Sequence, residues 1–371
     1  MHPQDTHMDI FYNARLAVPA ALAFHQRLPG YAPTPLIDLP GLAKQLGLGR
    51  LSLKLETSRL GLPSFKILGA SYATYRALCA RLGGEPIWSS ITELRAAFAP
   101  LRPLTLLAAT DGNHGRAVAH MAALLGLSAR IFVPEETAPA RIEAIRAEGA
   151  DLEVVAGSYD EAVARSAAAA NPQALVISDT AWPGYEQAPR DVIAGYATIF
   201  QEVDQAATRP PDLVVVQMGV GALAAAAIEH YRRSGVGPTI VGVEPDQAAC
   251  VLASLRAGQI CAIPGPHRSI MAGLNCGLPS PVAWPLLRNG LDAALAVPDE
   301  LARVAMRALA AEGVAAGETG AAGVAGLLAL RTADDAAQAR TRLGIGPHTH
   351  TLAIITEGVT DPAMYAEIVG R

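Results

Sequence analysis

Three short segments carry residue types whose spacing could do chemistry. In Leu62-Pro63-Ser64-Phe65-Lys66 a lysine follows an aromatic residue and enters an apparent helix, Ile67 to Cys79. A free amine titrates near about 10.4 and becomes a nucleophile only where desolvation or a neighbour disfavours its proton; a surface lysine at a helix start is the plain alternative. In Thr110-Asp111-Gly112-Asn113-His114-Gly115 the glycines admit close backbone approach, Asn113 offers an amide, and Asp111 is either an acid-base group or a helix cap. In Gly219-Val220-Gly221-Ala222-Leu223 a glycine turn between a strand and a helix offers free N–H groups and a positive helix end to a phosphate. Read as G-x-G-x-x-A, with Glu244 ending the next strand, it also fits a dinucleotide-binding turn, so a nicotinamide oxidoreductase is a rival. One compositional fact sharpens the first segment. Only Lys44, Lys54 and Lys66 are lysines among 29 basic residues, and arginine cannot replace an amine that must lose its proton or form an imine.

These segments need elements to hold them. Short β-rich runs (Thr105 to Ala109, Ala129 to Val133, Leu152 to Val155, Leu213 to Gln217, Ile240 to Glu244, Thr351 to Thr356) alternate with Ala-rich helical stretches (Gly115 to Leu125, Ala138 to Glu148, Tyr159 to Asn171, Ala222 to Arg233, Glu300 to Ala311). That pattern predicts α/β layers around largely parallel sheets, in which ligands bind at the carboxyl ends of strands. The residues just after these strands are Asp111 to Gly115, Gly219 to Ala222, and Glu357 onward. The 371 residues allow two or three domains at roughly 150 residues each. The Arg209-Pro210-Pro211-Asp212 stretch reads as a linker, and the expected division is a large cofactor-binding domain from 1–79 and 206–371 with a small mobile domain, 80–205, inserted into it.

Composition narrows the partners. A net charge of -5 disfavours nucleic acid and anionic membrane surfaces and favours a small-molecule substrate. Four cysteines without a C-x-x-C pair make neither a disulfide framework nor a zinc site, which fits a cytoplasmic protein. Met1 to Ile10 lacks the pattern of a secretory signal, and the most apolar run, Leu213 to Ile228, is too short to span a membrane. His348 and His350 flank Thr349 without ligand spacing, so no metal is expected.

Taken together the segments resemble the fold type II pyridoxal-phosphate enzymes, the group of tryptophan synthase β chains, serine and threonine dehydratases and cysteine synthases. Tyr31-Ala32-Pro33-Thr34-Pro35-Leu36 is similar to the group's early T-P-L segment, Ser64-Phe65-Lys66 to its Schiff-base motif, Gly112-Asn113 to its asparagine loop and Gly219 to Leu223 to its phosphate loop. The resemblance implies two open twisted α/β domains with pyridoxal 5'-phosphate in the cleft between them. It implies an imine to Lys66, with Phe65 packed beside the ring and Asn113 on the ring hydroxyl. The phosphate would lie on the backbone of Gly219, Val220, Gly221, Ala222 and Leu223, and Thr356 would face the pyridine nitrogen. A neutral hydroxyl there makes a mild electron sink, suited to loss of an α-proton coupled to departure of a β-substituent.

Within the group the chain resembles the diaminopropionate ammonia-lyases from about His25 to Tyr365. The similarity runs through Ser178-Asp179-Thr180-Ala181-Trp182, Ile270 to Leu274 with Cys276-Gly277, Gly317-Glu318-Thr319-Gly320 and Thr356-Glu357-Gly358, and through Asp111, where the wider group usually has serine. The implied reaction is elimination of ammonia from 2,3-diaminopropionate to give pyruvate and ammonia. Lys66 would take the α-proton of the L isomer and Asp111 that of the D isomer. A β-amine leaves poorly unless protonated, and Asp179 and Asp111 are the candidate acids; Asp179 orienting the β-ammonium, and Glu318 either near the imine edge or capping a helix, are also open. Cys250 and Cys276 fall in matching segments and are expected to be free thiols near the site entrance. The group's habit implies a homodimer. The rival readings are a dehydratase or β-replacement enzyme acting on another β-substituted amino acid, the nicotinamide oxidoreductase, and a non-catalytic amino-acid sensor.

Overall fold

The two most apolar strand-like runs, Leu213 to Gln217 and Thr351 onward, become neighbours at the centre of a sheet and are buried along their whole length, as strands covered on both faces must be. The computed structural model describes residues 18–233, 235 and 237–370. The amino-terminal stretch read for a secretory signal lies outside the described residues. Its strands are β1 (Leu36–Asp38), β2 (Arg50–Leu55), β3 (Thr105–Ala109), β4 (Ser128–Pro134), β5 (Asp151–Val155), β6 (Ala174–Val176), β7 (Leu213–Gln217), β8 (Thr239–Pro245), β9 (Ala293–Val297) and β10 (His350–Ile355). One sheet runs β1-β2-β10-β7-β8-β9, parallel except for the antiparallel edge pair β1-β2. The other runs β5-β4-β3-β6 and is wholly parallel. This is the α/β, fold type II arrangement. Each of the six strand-like runs picked out in the sequence is a strand within one residue of its expected ends, whereas β1, β2 and β9 were not anticipated.

One apolar cluster lies between the two sheets, drawing Leu106 and Ile131 from the smaller and Val214 and Ile354 from the larger, with the helices Lys66–Leu82, Asn113–Leu125 and Ala222–Tyr231 between them. A second fills the opposite face of the large sheet. The helix Gln187–Ala206 packs along Lys66–Leu82 and Ala222–Tyr231, although it precedes the linker in sequence. Its closeness to Lys66–Leu82 depends on two facing glycines. A Cβ at Gly195 would lie 2.5 Å from the Leu68 carbonyl oxygen and 2.9 Å from the Gly69 Cα, both backbone atoms that cannot step aside. Gly195→Ala is therefore expected to destabilise the fold by about 1–3 kcal/mol, the usual cost of overpacking, read as a lower urea midpoint at unchanged slope. Because the same contact fixes the helix that begins at Lys66, the site should loosen with it.

Candidate active site

Four strand ends converge on one cavity. Beyond β3 lie Asp111 and Asn113, beyond β6 lies Asp179, beyond β7 the turn Gly219 to Leu223, and beyond β10 Thr356. Phe65 and Lys66 enter from the loop ahead of the helix Lys66–Leu82, whose first residue is Lys66 itself. That loop is fixed by backbone bonds to the β10 end: Phe65 N–H donates to the Thr356 carbonyl at 3.1 Å and Gly358 N–H to the Pro63 carbonyl at 2.9 Å. All eleven site residues expected from the sequence line this cavity.

The Lys66 ammonium donates to Asp179 Oδ2 at 2.6 Å, and the Tyr159 hydroxyl donates to Asp179 Oδ1 at 3.0 Å. Burial opposes both charges, but each partner outweighs it: Lys66 lies above the ordinary lysine range and Asp179 below the ordinary carboxylate range. Without cofactor the amine is thus held as a cation. Phe65 packs on Tyr196, ring centroids 4.6 Å apart. The Asp179 loop is itself pinned, since Ser178 N–H donates to the Tyr185 hydroxyl at 3.0 Å while that hydroxyl donates to the Val176 carbonyl at 2.9 Å.

Asp111 does not cap the following helix, which has no side-chain cap. Burial pushes its carboxyl up to about 6, against the pull of Arg141 and Lys66. Asn113 donates one amide hydrogen to Glu357, leaving the second free for a ligand oxygen. Glu357 also accepts from Thr319 N–H at 3.2 Å.

The glycine turn is a built cradle. Gly221 has φ +93, and a Cβ there would lie 2.4 Å from Leu287 Cδ1. At Gly219 a Cβ would come within 3.1 Å of Cys276 Sγ and 3.2 Å of the Gly273 carbonyl oxygen. The helix Ala222–Tyr231 starts immediately after, so its first N–H groups have no acceptor in a preceding turn. Across the cavity the Thr356 hydroxyl accepts from Gln217 Nε2 at 2.8 Å; its own hydrogen has only a 3.5 Å contact, to the Thr319 carbonyl, and is available to a ring nitrogen.

Residues 27–342 match the family described as pyridoxal-phosphate dependent enzyme. The chain belongs to that family. It is 35% identical over 365 residues to a diaminopropionate ammonia-lyase of Salmonella typhimurium, covering 94% of this chain and 90% of the relative. The crystal structure of the holo diaminopropionate ammonia lyase of Escherichia coli superposes with a TM-score of 0.87 at 33% identity, over 95% of this chain and 91% of that one. The same Escherichia coli enzyme in complex with D-serine superposes equally well, TM-score 0.87 at 34% identity. The cofactor of this pyridoxal-phosphate enzyme is pyridoxal 5'-phosphate, and the cavity fits it. Its lining offers an amine for the aldehyde, a glycine-turn anion cradle for the phosphate and a hydroxyl with a spare hydrogen for the ring nitrogen.

The dinucleotide reading of the glycine turn fails on Glu244. Both its carboxylate oxygens accept backbone hydrogens, from Val251 and Leu252 at 2.8 Å each, so it caps the helix Cys250–Ala257, and it is fully buried there rather than presented to a ribose. Cys250 and Cys276 are free and buried, both beside Gly219. Glu318 caps no helix and lines an adjoining cavity with Asp111 and Arg141. Sequence reasoning missed Tyr159, Tyr196 and Gln217 as site residues, and singled out the residues from Glu357 onward without giving Glu357 a role. For Gln217 a signal existed, since it ends the strand whose following turn was read.

Proposed function

We propose that this chain eliminates ammonia from 2,3-diaminopropionate, releasing pyruvate and ammonia, and accepts both isomers. The observation that carries the reading is that Lys66, Asp111 and Asp179 line one cavity in a chain 35% identical to diaminopropionate ammonia-lyases. When bound, pyridoxal phosphate supplies an aldehyde for the substrate amine and a ring that accepts the electrons released at Cα.

The residues of the chain supply the proton transfers. Lys66 Nζ takes the Cα proton of the L isomer, and the Asp111 carboxylate takes that of the D isomer. Asp179 hands a proton to the departing β-amine. Its carboxyl is held ionised chiefly by the Lys66 charge; when Lys66 is neutral, burial acts on Asp179 with less opposition and favours its protonated form. Tyr159 keeps that carboxyl oriented. Asn113, tied to Glu357, would hold the ring through its hydroxyl, and Thr356 would offer the ring nitrogen a neutral hydroxyl. The division into 1–79 with 206–371 and 80–205, with the site in the cleft, belongs to the same proposal, as do a homodimer and a cytoplasmic setting, the last supported by four unpaired cysteines.

The test is pyruvate release measured over a panel of L and D β-substituted amino acids. Diaminopropionate is expected to give the largest kcat/KM; a panel led by serine or threonine would replace the reading with a dehydratase, and one giving β-substituted products with a β-replacement enzyme. No helix in the described residues is long and apolar enough to cross a membrane.

A further inference from the structure

A second cavity opens from the first at Asp111 and is lined by Arg141, Glu318, Tyr159 and Asn275. It holds a buried ion pair, Arg141 with Glu318, in which each side chain keeps an unfilled hydrogen-bonding atom. Glu318 Oε2 has no hydrogen-bond partner, and neither does Arg141 Nε, although the two side chains are only 2% and 10% exposed. They face each other at 3.6 Å, beyond hydrogen-bond contact. Among the described residues the Arg141 guanidinium otherwise makes one long hydrogen bond, 3.4 Å to the Thr360 hydroxyl, while Glu357, Asp111 and Asp361 act on its charge from further off.

An unsatisfied buried charge is costly unless a ligand completes it. The backbone has been shaped to keep Arg141 where it is. Its side-chain stem lies against Gly112, where a Cβ would sit 3.0 Å from Arg141 Cδ, and Gly112 has φ +154. The guanidinium therefore rests over the turn that carries Asp111 and Asn113. Glu318 stands on the other wall, with its carboxyl pushed up to about 7 by burial and by Glu357, because Arg141 is too distant to compensate fully. By contrast Asp179 is already engaged by Lys66 and Tyr159.

A guanidinium and a carboxyl that each keep an open hydrogen-bonding atom, side by side at the approach to an amine-reactive site, match a ligand bearing both signs. We propose that Arg141 and Glu318 form a capture site for the incoming amino acid, the guanidinium taking its carboxylate and Glu318 taking the β-ammonium. This rests on the diamino-acid reading above and deepens it. The planar guanidinium suits any α-amino acid, whereas Glu318 rewards only a substrate with a second cationic end. Glu318 is thus a specificity-determining residue and Arg141 a general binding one.

The experiment compares holoenzyme variants on diaminopropionate and on β-chloroalanine, whose β-substituent is uncharged and departs as chloride, with the visible cofactor spectrum confirming equal loading. Glu318→Gln is expected to lower kcat/KM for diaminopropionate by about tenfold to a hundredfold, the scale of one lost charged hydrogen bond, mainly through KM, and to leave β-chloroalanine unchanged. Glu318→Asp should recover part of the loss. Arg141→Met should lower kcat/KM on both. Equal losses on the two substrates in Glu318→Gln, or none on diaminopropionate, overturn the capture site. If the wild type releases no pyruvate from diaminopropionate, the functional reading fails, and the capture site is then judged by titrating the absorption of the holoenzyme with diaminopropionate and with alanine. A preference for the diamino acid that survives in Glu318→Gln overturns it; a preference lost there supports it.

Discussion

Lys66→Ala is expected to lower turnover of both isomers by at least roughly 10⁴-fold, the upper end of what a positioned proton acceptor contributes, and to remove covalent attachment of the cofactor altogether. Both losses come from one nitrogen. Its place as the first residue of the helix Lys66–Leu82 puts the amine in the cavity between the glycine cradle and Asp179, and no other lysine lines that cavity. Borohydride reduction of the wild type followed by peptide mapping should find the label on Lys66 alone; a normal steady-state rate in the variant rejects its role. The substitution also strands a buried carboxylate. Breaking a buried ion pair costs about 3–5 kcal/mol when the remaining charge has no escape, but Asp179 keeps its bond from Tyr159 and can neutralise by taking a proton. Lys66→Ala with Asp179→Asn should therefore recover much of the stability lost by Lys66→Ala, measured by denaturant unfolding, and recover none of the turnover. Stability and catalysis separate in that pair, which distinguishes a chemical lysine from one that only completes a charge network.

The contrast with Lys54 shows what the sequence could and could not reveal. Scarcity of lysine marked both residues equally, yet Lys54 is a buried structural cation, donating to Glu202 at 2.6 Å and to the Thr34 carbonyl at 2.7 Å. Arg59 completes that network with Glu56 and Glu202. β2 was overlooked although Arg50, Ser52 and Lys54 alternate strictly with Leu51, Leu53 and Leu55, the period of a strand; the sequence could not show that its polar face is held by partners, Asp38 for Arg50 and Ser52 and Glu202 for Lys54. Central parallel strands such as β7 and β10 were legible because burial on both faces leaves an unbroken apolar run. The cavity walls were legible where a loop directly follows a legible strand, as at Asp111 and Gly219. Tyr159 and Tyr196 lie on helices, where an inward aromatic looks like any core residue until the fold brings it to Lys66. Arg141 and Glu318 are far apart in sequence, and nothing short of the assembled cavity could show that they meet with hydrogen-bonding atoms left open.

Asp111→Asn should separate the isomers. The substitution keeps size and shape but removes the lone pair that accepts a proton, so turnover of D-diaminopropionate is expected to fall by about 10²–10⁴-fold while the L isomer, deprotonated from Lys66, changes far less. The pH profile gives an independent check. Burial raises the Asp111 carboxyl to about 6, with Arg141 and Lys66 pulling it down and Glu357 and Asp179 pushing it further up. A base acts only when ionised, so kcat/KM for the D isomer should decline as the pH falls through about 6 and level off above it, and the L isomer should lack that limb. Asp111→Asn should abolish the limb along with the rate. If the two isomers lose equally in the variant, or share one acid limb in the wild type, a single base serves both, and Asp111 acts instead as a buried charge beside the cofactor ring. The two outcomes differ in their physics: a base contributes through the proton it accepts, so its loss is specific to one face of the substrate, whereas a fixed charge acts on every substrate bound within its reach.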